Sequence, residues 1–306
     1  MVRLCLDGNE QVMGAYQPTL FDRVQGFLVN ITRREFLKIS GLTIAAGLTS
    51  TVVFLGVNDE TGELVVNQIT IPVKNLHPAL EGFKIVQLTD IHIYPITPVE
   101  VAAEAVAIAN SLKPDLAVLT GDYVWREGEA IFELAPVLAD LNARNGLYAI
   151  IGNHDIWEGL EISLTGLREA GIPVLINQGL TITEGAGSLY LAGLDDGMSG
   201  QPDLAAALDG MPAEAPVVLL MHEPDPADEY SLDGRISLQL SGHTHGGQVR
   251  IRDMPMVLPP LGRKYDLGLY NVNGMWLYVS PGIGEISVPL RYNCPPEVSE
   301  ITLVRA

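Results

Sequence analysis

Eight side chains between residues 90 and 245 of this chain could together hold metal ions. They are Asp90, His92, Asp122, Asn153, His154, His222, His243 and His245. Their donor atoms are imidazole nitrogens, carboxylate oxygens and one amide oxygen. Cys5 and Cys294 lie at opposite ends of the 306-residue sequence, which excludes both a cysteine zinc site and a disulfide framework. This donor mixture suits Mn, Fe, Zn or Co better than Ca or Mg. Two divalent ions held about 3.5–4 Å apart need one shared ligand. A carboxylate can bridge and a neutral imidazole cannot, so the shared ligand is an aspartate. Such a pair can activate water for attack on phosphorus.

These groups are brought together by short apolar runs that read as strands: 85–89, 116–120, 147–151, 217–221 and 236–240. Each run ends at a metal-competent residue. Asp90 and His92 follow the first, Gly121-Asp122 the second, and Gly152-Asn153-His154-Asp155 the third. His222 follows the fourth and Gly242-His243-Thr244-His245 the fifth. In α/β sheets the ligand crevice lies beyond the carboxyl ends of strands, so the order predicts one shared rim. Between the runs, Thr97-Pro98-Val99-Glu100 reads as a capping box opening a helix with Pro at its first position. Helical spacing recurs through 131–141, with a kink expected at Pro136, and through 160–167. After residue 245 strands dominate, at 248–251, 275–279 and 299–304. The fold class expected is α/β, a mixed sheet structure with helices outside.

The ordered blocks Asp90-x-His92, Gly121-Asp122, Gly152-Asn153-His154-Asp155, His222 and Gly242-His243-Thr244-His245 resemble those of the calcineurin-like metallophosphoesterases. The strings His243-Thr244-His245-Gly246-Gly247-Gln248 and Cys294-Pro295-Pro296-Glu297 resemble a bacterial branch of twin-arginine-exported phosphodiesterases, and also some UDP-2,3-diacylglucosamine pyrophosphatases. The resemblance implies a β-sandwich of two mixed sheets flanked by helices, and two divalent metal ions as cofactor. It implies that Asp90, His92 and His245 bind one metal, that Asn153, His222 and His243 bind the other, and that Asp122 bridges both. His154 would face the phosphate as electrostatic stabiliser or proton donor. Asp155 would support the ligands without binding metal. The chain departs from the family at Trp125, where many members carry an acidic residue that orients the histidine matching His154. On this reading Asp155 or a backbone carbonyl takes over that task, and Trp125 either walls the substrate or packs inside. Tyr123 and Trp157 flank ligand loops and are weaker candidates for substrate contact. Arg126 reads more readily as a solvated loop residue than as a phosphate contact.

The formal net charge is -19, and residues 1–56 carry five Lys/Arg against four Asp/Glu, so the acidity belongs to the remainder. Such a surface repels nucleic acid, and a phosphate-ester substrate needs the concentrated positive charge that metals supply. Thr32-Arg33-Arg34-Glu35-Phe36-Leu37-Lys38 precedes an uncharged, moderately apolar run over 39–57. This reads as a twin-arginine export signal without an Ala-x-Ala cleavage site, so that 39–57 can remain as a membrane anchor. The expected organisation is a leader over 1–57, a linker over 58–65 and one phosphoesterase domain over 66–306. Partners implied are the phosphate-ester substrate, the twin-arginine machinery and a membrane contacted through 39–57. The expected location is the cell envelope, or, for an uncleaved anchor with the body inside, the cytoplasmic face of the membrane. Two alternatives keep much of this pattern: a UDP-2,3-diacylglucosamine pyrophosphatase-like enzyme, and a non-catalytic metal-binding scaffold. Substrate specificity is expected in loops 123–130, 157–162 and 194–203.

Overall fold

A computed structural model describes residues 64–306. The leader, the arginine pair and most of the linker lie outside the described residues. Five strands form the first sheet: β1 (Val65–Val73), β2 (Phe83–Leu88), β3 (Leu116–Thr120), β4 (Leu147–Ile150) and β13 (Glu297–Arg305), in the order β1-β13-β2-β3-β4. The second sheet comprises β5 (Gln178–Glu184), β6 (Gly187–Gly193), β7 (Val217–Leu220), β8 (Ile236–Ser241), β11 (Gly268–Val272) and β12 (Met275–Val279), in the order β11-β12-β8-β7-β6-β5. Both sheets are mixed. β2, β3 and β4 run parallel, as do β6, β7, β8 and β12, while β13 lies antiparallel to β2.

Alternation along the strands explains the layering, because successive side chains point to opposite faces. In β2, Phe83 and Ile85 face the other sheet and, with Val118 of β3, share a core with its Leu191, Val218, Leu220 and Leu240. Val86 and Leu88 face outward, onto α1 (Val99–Ser111), α2 (Ile131–Leu138) and α4 (Leu160–Glu169). On the outer face of the second sheet, Tyr190, Leu219 and Leu277 of its strands share a core with Tyr230 and Tyr265. One polar residue crosses the interior: Gln87 donates to Thr120 Oγ1 at 2.8 Å and to the Ser241 carbonyl at 3.0 Å, tying both sheets together just below the rim.

Some local expectations differ from the structure. Helix α1 begins at Val99 with Pro98 as its cap residue and no side-chain cap bond. Thr97 instead accepts a bond from the Glu285 amide at 3.1 Å, so its hydroxyl joins two loops rather than capping a helix. Val65, expected in the linker, opens β1, which pairs with β13 along nine residues. Pro136 does lie inside α2, which ends soon after, at Leu138. Among the described residues no helix is long and apolar enough to cross a membrane.

Candidate metal centre

The predicted residues meet at one end of the sandwich. Asp90, His92 and His245 present ligand atoms within 4.8 Å of one another. So do Asp122, His222 and His243, and so do His92, Asp122 and His154. Asp122 is common to the last two groups. Its Oδ2 lies 3.3 Å from His92 Nε2 and 3.1 Å from His222 Nε2, while Asp90 Oδ1 lies 3.4 Å from His245 Nε2. All of these side chains except His154 are buried.

Several of the orphaned polar atoms among the described residues gather at this rim. His92 Nδ1 and Nε2, Asn153 Oδ1, His222 Nε2 and both ring nitrogens of His245 are buried without a hydrogen-bond partner. Buried polar atoms are rarely left so unless something outside the polypeptide satisfies them. Six such atoms around two carboxylates are what a divalent-metal centre requires, and the donor chemistry fits.

Other contacts fix ring orientation. His222 Nδ1 lies 2.7 Å from the Thr120 carbonyl, and His243 Nε2 lies 2.8 Å from the Pro260 carbonyl. A ring nitrogen facing a carbonyl carries the proton, so His222 is free to bind through Nε2 and His243 through Nδ1. The His243 amide donates to both Asp90 oxygens at 2.9 Å, and Thr89 Oγ1 donates to Asp90 Oδ2 at 2.7 Å. The His154 amide donates to Asp122 Oδ1 at 2.9 Å.

The backbone here is unusual. Asp90, His92, Asp122, His243 and His245 all have φ between 46° and 71°, the left-handed region. Each such residue costs on the order of 1–3 kcal/mol, and such strain collects at functional sites. Close packing adds to the constraint. A Cβ on Gly242 would collide with the Asp90 carboxylate and the Thr89 hydroxyl. One on Gly152 would collide with the Asp122 carboxylate.

Charge is strongly redistributed. Burial works against an ionised Asp122, but His222, His154 and His92 outweigh it and hold its pKa well below the usual carboxylate range. Burial likewise opposes charge on His222, yet Asp122 and Asp90 raise its pKa well above normal. Burial and neighbouring His222 push His243 down to about 4. Burial, with His92 and Arg291 nearby, lowers His245 strongly.

Asp155 does not reach His154. It accepts from the amides of Asp122, Tyr123 and Gly152 at 2.8–2.9 Å, and so shapes the loop that carries Asp122. The carboxylate beside His154 is Glu158, whose Oε1 is 3.9 Å from His154 Nδ1. Glu158 was not anticipated from sequence, although it lies four residues after His154. The i,i+4 spacing becomes visible only once the short helix α3 (Asn153–Trp157) is placed. Burial would raise Glu158, but the nearby His154 ring and the Arg126 backbone lower its pKa. Trp125 is buried and Tyr123 fully so, with its hydroxyl 2.5 Å from the Ile150 carbonyl, so neither is placed to meet a substrate. Arg126 lies over the Trp125 ring at 4.8 Å. Trp157 is 53% exposed, contacts His154 edge to face at 4.9 Å, and donates to Ser199 Oγ at 2.7 Å.

Ser199 belongs to the loop expected to govern specificity. Asp196 and Glu223, both buried, hold that loop by accepting from the amides of Gly197, Met198 and Ser199. Burial and the bond to Asp196 push Glu223 up to about 7. Beyond Ser199 lies a cleft of about 1160 Å³, bordered by Ile156, Leu160 and four carboxylates: Asp195, Asp203, Glu229 and Asp233.

Comparison with known proteins agrees with this geometry. The family described as calcineurin-like phosphoesterase matches residues 83–247. The chain is 34% identical over 284 residues to the metallophosphoesterase YkuE of Bacillus subtilis, covering 89% of this chain and 98% of that one. It is also 34% identical over 284 residues to the phosphodiesterase YaeI of Escherichia coli, covering 90% of this chain and all (100%) of the other. A transmembrane protein with a metallophosphoesterase domain from Danio rerio is 32% identical over 278 residues, covering 86% of this chain and 62% of that protein. The chain therefore belongs to the calcineurin-like metallophosphoesterases and is a metal-dependent phosphoric ester hydrolase.

Proposed function

We propose that the protein is a phosphodiesterase working through a dinuclear centre. The observation that carries this reading is the placement of Asp122 between two ligand groups. One is Asp90, His92 and His245. The other is His222 and His243, joined by the unsatisfied amide oxygen of Asn153. Two bound divalent cations supply Lewis acidity, lowering the pKa of water and neutralising phosphoryl charge. The chain's own residues do the rest. Asp122 offers one oxygen to both ligand groups while its other oxygen is held by the His154 amide. His154, partly exposed at the rim, meets the phosphate as stabiliser of the equatorial oxygens or as proton donor to the leaving oxygen. Glu158 takes the orienting place that Trp125 leaves empty.

A simple diester suits the surroundings better than a nucleotide-sugar pyrophosphate. The cleft beyond Ser199 is bordered by carboxylates and by no Lys or Arg, so nothing there offers a cation to a second phosphate. We further infer that Arg33-Arg34 and the apolar run 39–57 direct export and leave the body in the cell envelope. Substituting both arginines by lysine is expected to block translocation while leaving the purified enzyme active; unchanged localisation would sink the export reading.

The central test is metal content together with hydrolysis of bis-p-nitrophenyl phosphate. Two metals per chain and metal-dependent turnover are expected. Stable binding of metal with no hydrolysis of diesters, monoesters or pyrophosphates would favour the scaffold alternative. Preference for nucleotide-sugar pyrophosphates would favour the other.

A further inference from the structure

We propose that the hairpin of β9 (Arg250–Ile251) and β10 (Met254–Pro255) docks on an anionic lipid bilayer, so that the metal centre opens toward phosphate esters at the lipid surface. The second half of this proposal rests on the phosphodiesterase reading above. Ile251, Met254, Met256 and Val257 are exposed, at 39%, 66%, 62% and 56%. They make up four of the eleven exposed large apolar residues among those described, gathered within seven positions. An apolar cluster of this density on a soluble face marks a contact surface.

Charge selects the occupant. The chain as a whole is at -19, yet residues 248–264 carry four Lys/Arg against a single Asp. Arg250 and Lys264 are paired, with Asp266 and Asp228. Arg252 at the hairpin tip and Arg263 are exposed and have no ion pair among the described residues. Apolar side chains flanked by cations are the composition of an interfacial membrane contact, and they suit an anionic surface.

Position supports the same partner. Pro255 packs on Gly247, and the Pro260 carbonyl meets His243, so the hairpin and the segment after it form one wall of the metal centre. The Arg250 amide bonds to the Tyr292 carbonyl at 3.0 Å, and the segment after Tyr292 runs into β13. There Glu297 pairs with Val65, and the Glu297 amide bonds to Gly282, which packs on Asp90. The described chain therefore begins at the end of the sandwich that carries both the metal centre and the hairpin. Only residues 58–64 separate Val65 from the apolar run 39–57, a reach of at most about 25 Å.

The test uses the full chain, leader included. Met256→Cys in a Cys5→Ser background carries an environment-sensitive fluorophore, and Ala186→Cys, in the β5–β6 turn at the opposite end, is the control. Vesicles of phosphatidylcholine with phosphatidylglycerol are expected to shift the probe at 256 into an apolar environment and leave the probe at 186 aqueous. Arg252→Gln with Arg263→Gln is expected to weaken this response about fivefold for each charge removed. Turnover of soluble bis-p-nitrophenyl phosphate is expected to be unchanged in that variant. A probe at 256 that stays aqueous with vesicles, while soluble turnover is normal, overturns the docking element and leaves the phosphodiesterase reading standing. A shift that appears without vesicles as protein concentration rises assigns the face to a second copy, and also overturns it. Failure of the unsubstituted, metal-loaded chain to hydrolyse any ester strikes the phosphodiesterase reading, whatever the probe reports.

Discussion

Oε1 of Glu158, the residue that caps the C-terminus of α3, stands 3.9 Å from Nδ1 of His154 four positions earlier, where no family-typical carboxylate is available. An imidazole poised at a phosphate needs a partner to fix its tautomer. Glu158→Gln is expected to lower the diesterase rate by roughly tenfold and Glu158→Ala by more, with metal content unchanged. The deficit is expected to be larger for alkyl than for p-nitrophenyl leaving groups. Equal rates in all three proteins would show that His154 is oriented by something else.

His154→Ala probes the same ring directly. The chemical step is expected to slow by roughly 10²–10⁴-fold while metal stoichiometry is retained. His154 lies in a possible ligand group with His92 and Asp122, so loss of metal from this variant would make it a ligand. A deficit that grows with leaving-group pKa identifies a proton donor, and a uniform deficit identifies a stabiliser of the phosphoryl oxygens.

Asp122→Asn is expected to remove most activity and at least one metal, because an amide cannot give both ligand groups a negative oxygen. Elemental analysis alongside turnover decides it; two metals and near-normal rates would remove Asp122 from the bridging position.

Acid is expected to destabilise the metal-free chain through His243. The folded ring takes a proton only near about 4, against an ordinary value of 6.5. Between those values the unfolded chain binds more protons. This contribution is therefore fully present above about 6.5 and is lost as pH falls toward about 4. Its slope is at most about 1.4 kcal/mol per pH unit. Urea unfolding of the metal-stripped protein across that window measures it, and His243→Asn, which tolerates the same backbone, is expected to flatten the curve. An unchanged slope in that variant would assign the proton elsewhere.

Gly242→Ala is expected to cost about 1–3 kcal/mol, since its methyl group enters the space of the Asp90 carboxylate and the Thr89 hydroxyl. Denaturation midpoints and metal affinity are expected to fall together. A drop in stability with full metal affinity would show that Asp90 can move without consequence for the centre.

The convergence of the candidate ligands was legible because strand ends and metal-competent residue types coincide in sequence, and each block is local. What escaped notice depends on tertiary placement. The carbonyls of Thr120 and Pro260 that set the rings of His222 and His243 carry no sequence signal, since any residue supplies a carbonyl. Thr97 followed by Glu100 satisfied a helix-cap pattern, yet the hydroxyl is drawn off by Glu285, far away in sequence. β1 was hidden because only its last residues are buried, so it lacks a full apolar alternation. Asp155 stands outside the candidate ligand groups, and its three amide donors come from two separated loops that only the fold brings together.

The left-handed backbone at Asp90, His92, Asp122, His243 and His245 has an evolutionary corollary. Outside glycine, the residue types that enter this region most readily are asparagine, aspartate and histidine. The same short list covers the candidate metal-binding types found here, so the turns and the proposed chemistry restrict these positions independently. A descendant that abandoned catalysis would escape only the second restriction. Its ligand positions would drift toward glycine and asparagine rather than toward the full alphabet, and the rim would keep its shape after its purpose had gone.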